Sequence, residues 1–223
     1  MAAPTRVLKT IHFQGPEGRL EGLWSDPMGG LPPAVICHPH PAHGGSMHSK
    51  VVHTIYRILN AAGHPSIRFN FRGVGASEGS FSGWDGEVGD VAAAAAFARA
   101  ETGSTPVWLA GFSFGSWVGS KWALGEPAGS IERMILLGVP VDRNVDDRSF
   151  DHLEAAPKLP SPILIVQGEK DQYGSPASVI ALRDRLVARA TVEARIVPGA
   201  DHFFTGKLHE LGAALAEGLG LTK

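Results

Sequence analysis

The sequence predicts one α/β domain over residues 1–223: a mostly parallel sheet of about seven or eight strands, helices on both faces, an N-terminal antiparallel hairpin and no cap domain. Three observations carry that prediction. Five short runs are apolar almost throughout, as strands covered on both faces must be. Helix-compatible segments separate them, and strand–helix alternation gives a doubly wound sheet with right-handed crossovers. The 28 Gly and 16 Pro are interleaved with the apolar runs, so they read as many short connections rather than as disorder.

Residues 5–13 alternate, with Val7, Lys9, Ile11 and Phe13 on one face; turn formers fill 14–18, and 19–25 read as the second arm of an edge hairpin. The apolar runs follow at Ala34–Cys37, 66–71, 107–110, 134–137 and 163–166, with helices expected over 46–62, 85–101 and 113–124. Ser175 before Pro176 is an N-cap with proline at the first helical position, opening a helix to about residue 190. Residues 191–197 alternate as an outer strand does, and Leu208, Leu211, Leu215 and Leu219 form a helical stripe. Between Val139 and Ser161 there is room for a loop and a short helix near 150–156 but not for a lid, so the site is expected to be open.

Composition narrows the function classes. A net charge of −2 provides no electrostatic footprint for nucleic acid or an anionic membrane. No stretch approaches the ~20 apolar residues of a membrane helix, and Met1 to Lys9 holds no signal-peptide core. The single cysteine, Cys37, excludes an internal disulfide framework and fits a reducing compartment. The expectation is a cytoplasmic monomer or homodimer acting on a small molecule, with no nucleic-acid or membrane partner.

The chemistry begins at Gly111-Phe112-Ser113-Phe114-Gly115, which follows a buried strand and precedes a helix. This is the Gly-x-Ser-x-Gly nucleophile elbow. A serine on so sharp a turn projects above the sheet, and strand and helix then crowd each other, so Gly111 and Gly115 stand where side chains would clash. A serine hydroxyl needs a base, and the base an orienting acid. In this architecture both follow the nucleophile at the ends of later strands. The strand over 163–166 runs into Gly168-Glu169-Lys170-Asp171, and the strand ending at Val197 runs into Gly199-Ala200-Asp201-His202. Asp171 and His202 are therefore the expected acid and base, with Asp142 as rival acid; Asp201 and His209 read as surface residues.

One oxyanion donor should be the backbone N–H of Phe114. The other should come from His38-Pro39-His40-Pro41-Ala42-His43-Gly44-Gly45. Pro39 and Pro41 have no N–H, so His40 holds the one backbone donor between them. His38, Phe112, Trp117, Tyr173 and Phe203 are expected in the pocket lining. The closely spaced His38, His40, His43, His48 and His53 raise metal-dependent hydrolysis as a rival, against which stand the missing His-Glu-x-x-His pattern and the lack of acidic partners nearby. No metal is expected, and Cys37 reads as a core residue.

With these residues in view, the chain resembles the α/β-hydrolase superfamily over nearly its whole length. Asn70-Phe71-Arg72-Gly73-Val74-Gly75-Ala76-Ser77-Glu78-Gly79 is similar to a loop many of its members carry. With the His-Pro-His-Pro loop and Trp84-Asp85-Gly86-Glu87-Val88-Gly89-Asp90, it resembles a compact, lidless, carboxylesterase-like branch. The resemblance implies Ser113, Asp171 and His202 as a triad, main-chain donors near His40 and Phe114, and no cofactor. Gln172-Tyr173-Gly174-Ser175 departs from relatives that place an apolar residue soon after the acid. The reading is a serine hydrolase of short to medium acyl esters. Its rivals are a non-catalytic scaffold of the same fold that binds a small ligand or partner, and thioesterase, acyltransferase or perhydrolase chemistry with the same triad.

Overall fold

The computed structural model describes residues 8–26, 30–142 and 149–221. Strands β1 (Leu8–Gly15) and β2 (Gly18–Ser25) form the antiparallel hairpin. Residues 5–7 of the expected first strand lie outside the described residues. Gly15 pairs with Gly18, so the turn is Pro16 and Glu17 alone, shorter than the five-residue turn the sequence suggested. β2 pairs antiparallel with β4 (Ser66–Phe69). From there β3 (Ala34–Cys37), β5 (Val107–Phe112), β6 (Ile131–Leu137), β7 (Ile163–Gly168) and β8 (Val192–Val197) continue in parallel. The eight-stranded sheet has the order β1-β2-β4-β3-β5-β6-β7-β8.

Burial follows position in that order. Central β3 and β5 are buried at every residue, which is why they read as unbroken apolar runs. Outermost β8 is only partly buried until its last residue, and its Arg195 pairs with Glu193 and Glu217. Successive strand residues feed two cores. Val35, Ile67, Leu109, Leu136 and Ile165 pack with α2 (Asp85–Thr102), α3 (Phe114–Gly125) and α5 (Pro176–Leu186). Ile36, Ala110, Ile135 and Leu164 pack with α1 (Lys50–Ala61) and α6 (Leu208–Gly218).

α1 starts at Lys50 rather than 46 because Met47 is drawn out of helical register. Its N–H donates to Asn70 Oδ1 at 2.9 Å, and its carbonyl accepts from Arg68 Nη1 at 2.9 Å. Between β6 and β7 the described residues hold one short helix, α4 (Asp151–Ala155), where the sequence allowed one; 143–148 lie outside them. No cap domain is built from the described residues. Nor is any helix among them long and apolar enough to cross a membrane. The loops leaving β3, β5, β7 and β8 therefore share one uncovered edge, where open parallel sheets bind ligands.

Candidate active site

Ser113 sits between β5 and α3 with φ 55° and ψ −115°, a conformation L residues avoid. The close packing predicted for the flanking glycines is present in detail. A Cβ at Gly111 would lie 2.3 Å from the Gly115 carbonyl oxygen, and one at Gly115 would lie 2.4 Å from the carbonyl oxygen of Cys37. Gly115 thus makes room for neighbouring β3 rather than for its own strand. Hydrogen bonds to Leu137, at the end of β6, hold the turn. The Ser113 N–H donates to Leu137 O at 2.8 Å, and the buried Ser116 hydroxyl lies 2.7 Å from Gly111 O and 3.0 Å from Leu137 O.

The loops after β7 and β8 cross closely. A Cβ at Gly168 would lie 2.5 Å from Ala200 O, and the Lys170 N–H donates to that carbonyl at 2.8 Å. This crossing brings Asp171 and His202 together, both almost fully buried. Asp171 Oδ2 stands 2.7 Å from His202 Nδ1, and His202 Nε2 stands 3.0 Å from Ser113 Oγ. A carboxylate only accepts, so Nδ1 carries the imidazole proton and Nε2 is left to accept from the serine hydroxyl. The rival Asp142 is elsewhere. It is largely exposed, and its carboxylate accepts from the N–H of Ser175; although what burial it has acts to raise its pKa, hydrogen bonds from Ser178 and Ser175 hold it below the usual range.

The sequence reading missed Gln167. Fully buried at the end of β7, it donates from Nε2 to Asp171 Oδ2 at 2.8 Å and to Gly174 O at 2.9 Å, while its Oε1 accepts from the Val139 N–H at 2.8 Å. The Tyr173 N–H donates to Asp171 Oδ1 at 2.8 Å. No cation takes part in these bonds. The available signal was a lone amide closing an otherwise apolar strand, immediately before the acid motif.

A cavity of about 250 Å³ opens over Ser113, walled by His40, Trp84, Phe114, Tyr173 and Phe203 among others. A larger hollow, about 700 Å³, lies on the flank between the end of α3 and the segment after α4, and none of Ser113, Asp171 and His202 reaches it. Of the expected lining residues, Tyr173 and Phe203 take that place and three do not. His38 lies beneath the loop, fully buried. Its Nδ1–H donates to Pro39 O at 2.6 Å and its Nε2 accepts from the Phe71 N–H at 3.1 Å. Burial lowers its pKa to about 4. Phe112 points to the opposite side of β5 and packs under the His202 ring, centroids 5.1 Å apart. Trp117 is turned toward the segment before α4, donating from Nε1 to Ser149 O at 2.7 Å. Trp84, not foreseen, forms a wall.

His40 opens a 3₁₀ turn over Pro41–His43, and its Nδ1 accepts from the Ala42 N–H at 3.2 Å. Its ring packs 5.0 Å from that of Phe114, and both residues line the cavity with Ser113. The Phe114 N–H is the first of α3, where the helix ladder offers no carbonyl. The five clustered histidines are parted. His38 is buried, His40 stacks on His43 at 4.7 Å, and His48 and His53 are exposed. Among the described residues no group of three or more His, Cys, Asp or Glu could hold a metal ion. Burial pushes the Cys37 thiol up, away from the thiolate.

Comparison with known proteins adds an independent line. A family profile described as "Alpha/beta hydrolase domain" matches residues 33–217. An uncharacterised protein of Rickettsia prowazekii is 36% identical over 210 residues, covering 92% of this chain and 86% of its own length. A solved structure from Coxiella burnetii, described as an alpha-beta serine hydrolase homologue, is 34% identical with a TM-score of 0.82, covering 95% of this chain and 97% of its own. A Xanthomonas campestris structure, described as an a/b serine hydrolase without lid, is 34% identical with a TM-score of 0.79, covering 97% and 95%.

Proposed function

From a chain that belongs to the alpha/beta hydrolase family, we propose a serine hydrolase that cleaves carboxylic esters of short to medium acyl chains through an acyl-enzyme intermediate. The observation that carries this is the unbroken series Asp171 Oδ2, His202 Nδ1, His202 Nε2, Ser113 Oγ, at 2.7 and 3.0 Å, opening on a mostly apolar cavity. The neighbours described as serine hydrolases, one of them lidless, support the same reading.

In this mechanism Ser113 Oγ attacks the acyl carbonyl carbon while its proton passes to His202 Nε2. The carbonyl π-electrons move to oxygen, and the N–H groups of Phe114 and His40 donate to that oxyanion. The tetrahedral adduct collapses, the C–O bond to the alcohol breaks, and His202 returns the proton to the departing alkoxide. Water then enters, loses a proton to His202 and attacks the acyl-serine. Collapse releases the carboxylic acid and restores the Ser113 hydroxyl. Asp171 holds the Nδ1–H tautomer and stabilises the transient imidazolium. Gln167 and the Tyr173 N–H hold Asp171.

The test pairs a fluorophosphonate probe with p-nitrophenyl esters from acetate to hexanoate. Labelling at Ser113, with turnover that Ser113→Ala lowers by roughly 10⁴-fold or more, is the expected result. Absence of both labelling and turnover would overturn the enzyme reading in favour of a binding scaffold, and activity lost to exhaustive chelation would favour a metal route.

A further inference from the structure

We propose that Trp84 closes the inner end of the cavity and limits the acyl group to a short chain. This rests on the serine-hydrolase reading and adds a substrate limit to it. Trp84 has φ 89° and ψ −49°, in the left-handed region that L residues rarely occupy. Glu87, fully buried, holds it there. Glu87 Oε2 accepts from the Trp84 N–H at 2.9 Å and from the Ser82 hydroxyl at 3.0 Å, and Oε1 accepts from the Ser82 N–H at 2.9 Å. Strain maintained by a dedicated buried carboxylate, at the wall of a site, marks a position fixed for what it does there.

The cavity has a mouth and a floor. Phe203, at 54% exposed, stands at the mouth, while Trp84, lining the same space, is 3% exposed. The indole packs 4.6 Å from Phe114 and 5.5 Å from His40, the two residues whose N–H groups are assigned to the oxyanion. In the reaction the alcohol departs first and needs the open end. The acyl group stays bonded to Ser113 until water arrives, so it occupies the closed end, against Trp84. The whole cavity, about 250 Å³, falls below the ~300–1,000 Å³ of pockets that take drug-sized ligands. The indole packs against Trp117, edge-on at 5.2 Å, and both belong to an apolar cluster that also holds Phe150 and Leu153. Removing the indole therefore lengthens the cavity into apolar surroundings.

Trp84→Gly deletes the floor and also suits the backbone angle, whereas Trp84→Phe lowers the floor only slightly. The measurements are kcat/KM on p-nitrophenyl acetate, butyrate, hexanoate and decanoate, and the rate of Ser113 phosphonylation by ethyl and octyl fluorophosphonates followed by intact mass. The decanoate-to-acetate and octyl-to-ethyl ratios are expected to rise at least about 10-fold in Trp84→Gly and by less in Trp84→Phe. Unchanged ratios in a variant with a cooperative melt overturn the proposal. Should the glycine variant not fold, Trp84→Leu and Trp84→Phe are judged on the same ratios. A wild-type protein that neither turns over any ester nor is phosphonylated at Ser113 overturns the serine-hydrolase reading and this limit with it.

Discussion

Two buried carboxylates in this protein have opposite company. Asp90, on α2, accepts from Arg72 through its backbone N–H at 3.0 Å, through Nε at 3.0 Å and through Nη2 at 2.8 Å; the same guanidinium reaches Glu17 at 2.6 Å and Gly86 O at 2.7 Å. Asp171 accepts from an imidazole, an amide and a main-chain N–H. Both arrangements answer the cost of burying a carboxylate. The hydrogen bonds to Asp90 raise the pKa of Arg72, a group that does not release its proton in proteins in any case, so that pair is a clamp on the loop after β4. An imidazole has two ring nitrogens, so the partner of Asp171 faces the carboxylate with one and Ser113 Oγ with the other, where a guanidinium could only donate. Identical burial with a different partner separates scaffold from chemistry.

The contrast is broken most forcefully at its reactive end. Asp171→Asn keeps the shape but favours the wrong imidazole tautomer, and kcat/KM on p-nitrophenyl butyrate should drop by roughly 10⁴-fold with little change in Tm. At the structural end, Arg72→Met leaves Asp90 buried without its partner. Urea unfolding should show a loss of about 3–5 kcal/mol, with kcat/KM per folded molecule unchanged. If instead Arg72→Met abolishes turnover in fully folded protein, the division between clamp and chemistry is wrong.

His38 sharpens the same comparison, being a buried imidazole with no carboxylate. Its folded pKa of about 4 lies below the ordinary 6.5, so between those values the unfolded chain binds more protons. Its contribution is therefore complete above the unfolded value and is lost as pH falls toward 4. Chemical denaturation across that window should show on the order of 3 kcal/mol less pH-dependent loss in His38→Gln than in wild type. Smaller still is the effect of Gln167→Leu, which removes one donor from Asp171. A fall in kcat/KM of roughly 10-fold, mostly in kcat, is expected, with partial recovery in Gln167→Asn; no change would mean that the amide serves only to tie Val139 to Gly174.

Much of this was readable from the residues because the relevant forces are local. Gly111, Ser113 and Gly115 are spaced by a single turn, and the apolar runs follow directly from a sheet covered on both sides. Asp171 and His202, which the structure brings together beside Ser113, are marked in the sequence by their position after strand ends. What escaped was set by partners distant in sequence. Gln167 looks like the end of a strand until Val139, Gly174 and Asp171 surround it. Trp84 takes its place only because Glu87 holds an unusual backbone angle, although a glutamate three residues on was a legible capping signal. Phe112 misled for the reverse reason, since sequence adjacency to Ser113 conceals that strand alternation turns it to the other core.

The order of strands also fixes an order in time. His202 follows Ser113 by 89 positions, and the strand that delivers it, β8, is both the last strand described and the outer edge of the sheet, held on one side by β7 alone. A chain emerging from the ribosome can complete the elbow and the acid's strand while its imidazole does not yet exist. On the proposed mechanism the pairing of β8 with β7 is what carries the base to Ser113, so a strand at the edge of the sheet governs a serine at its centre.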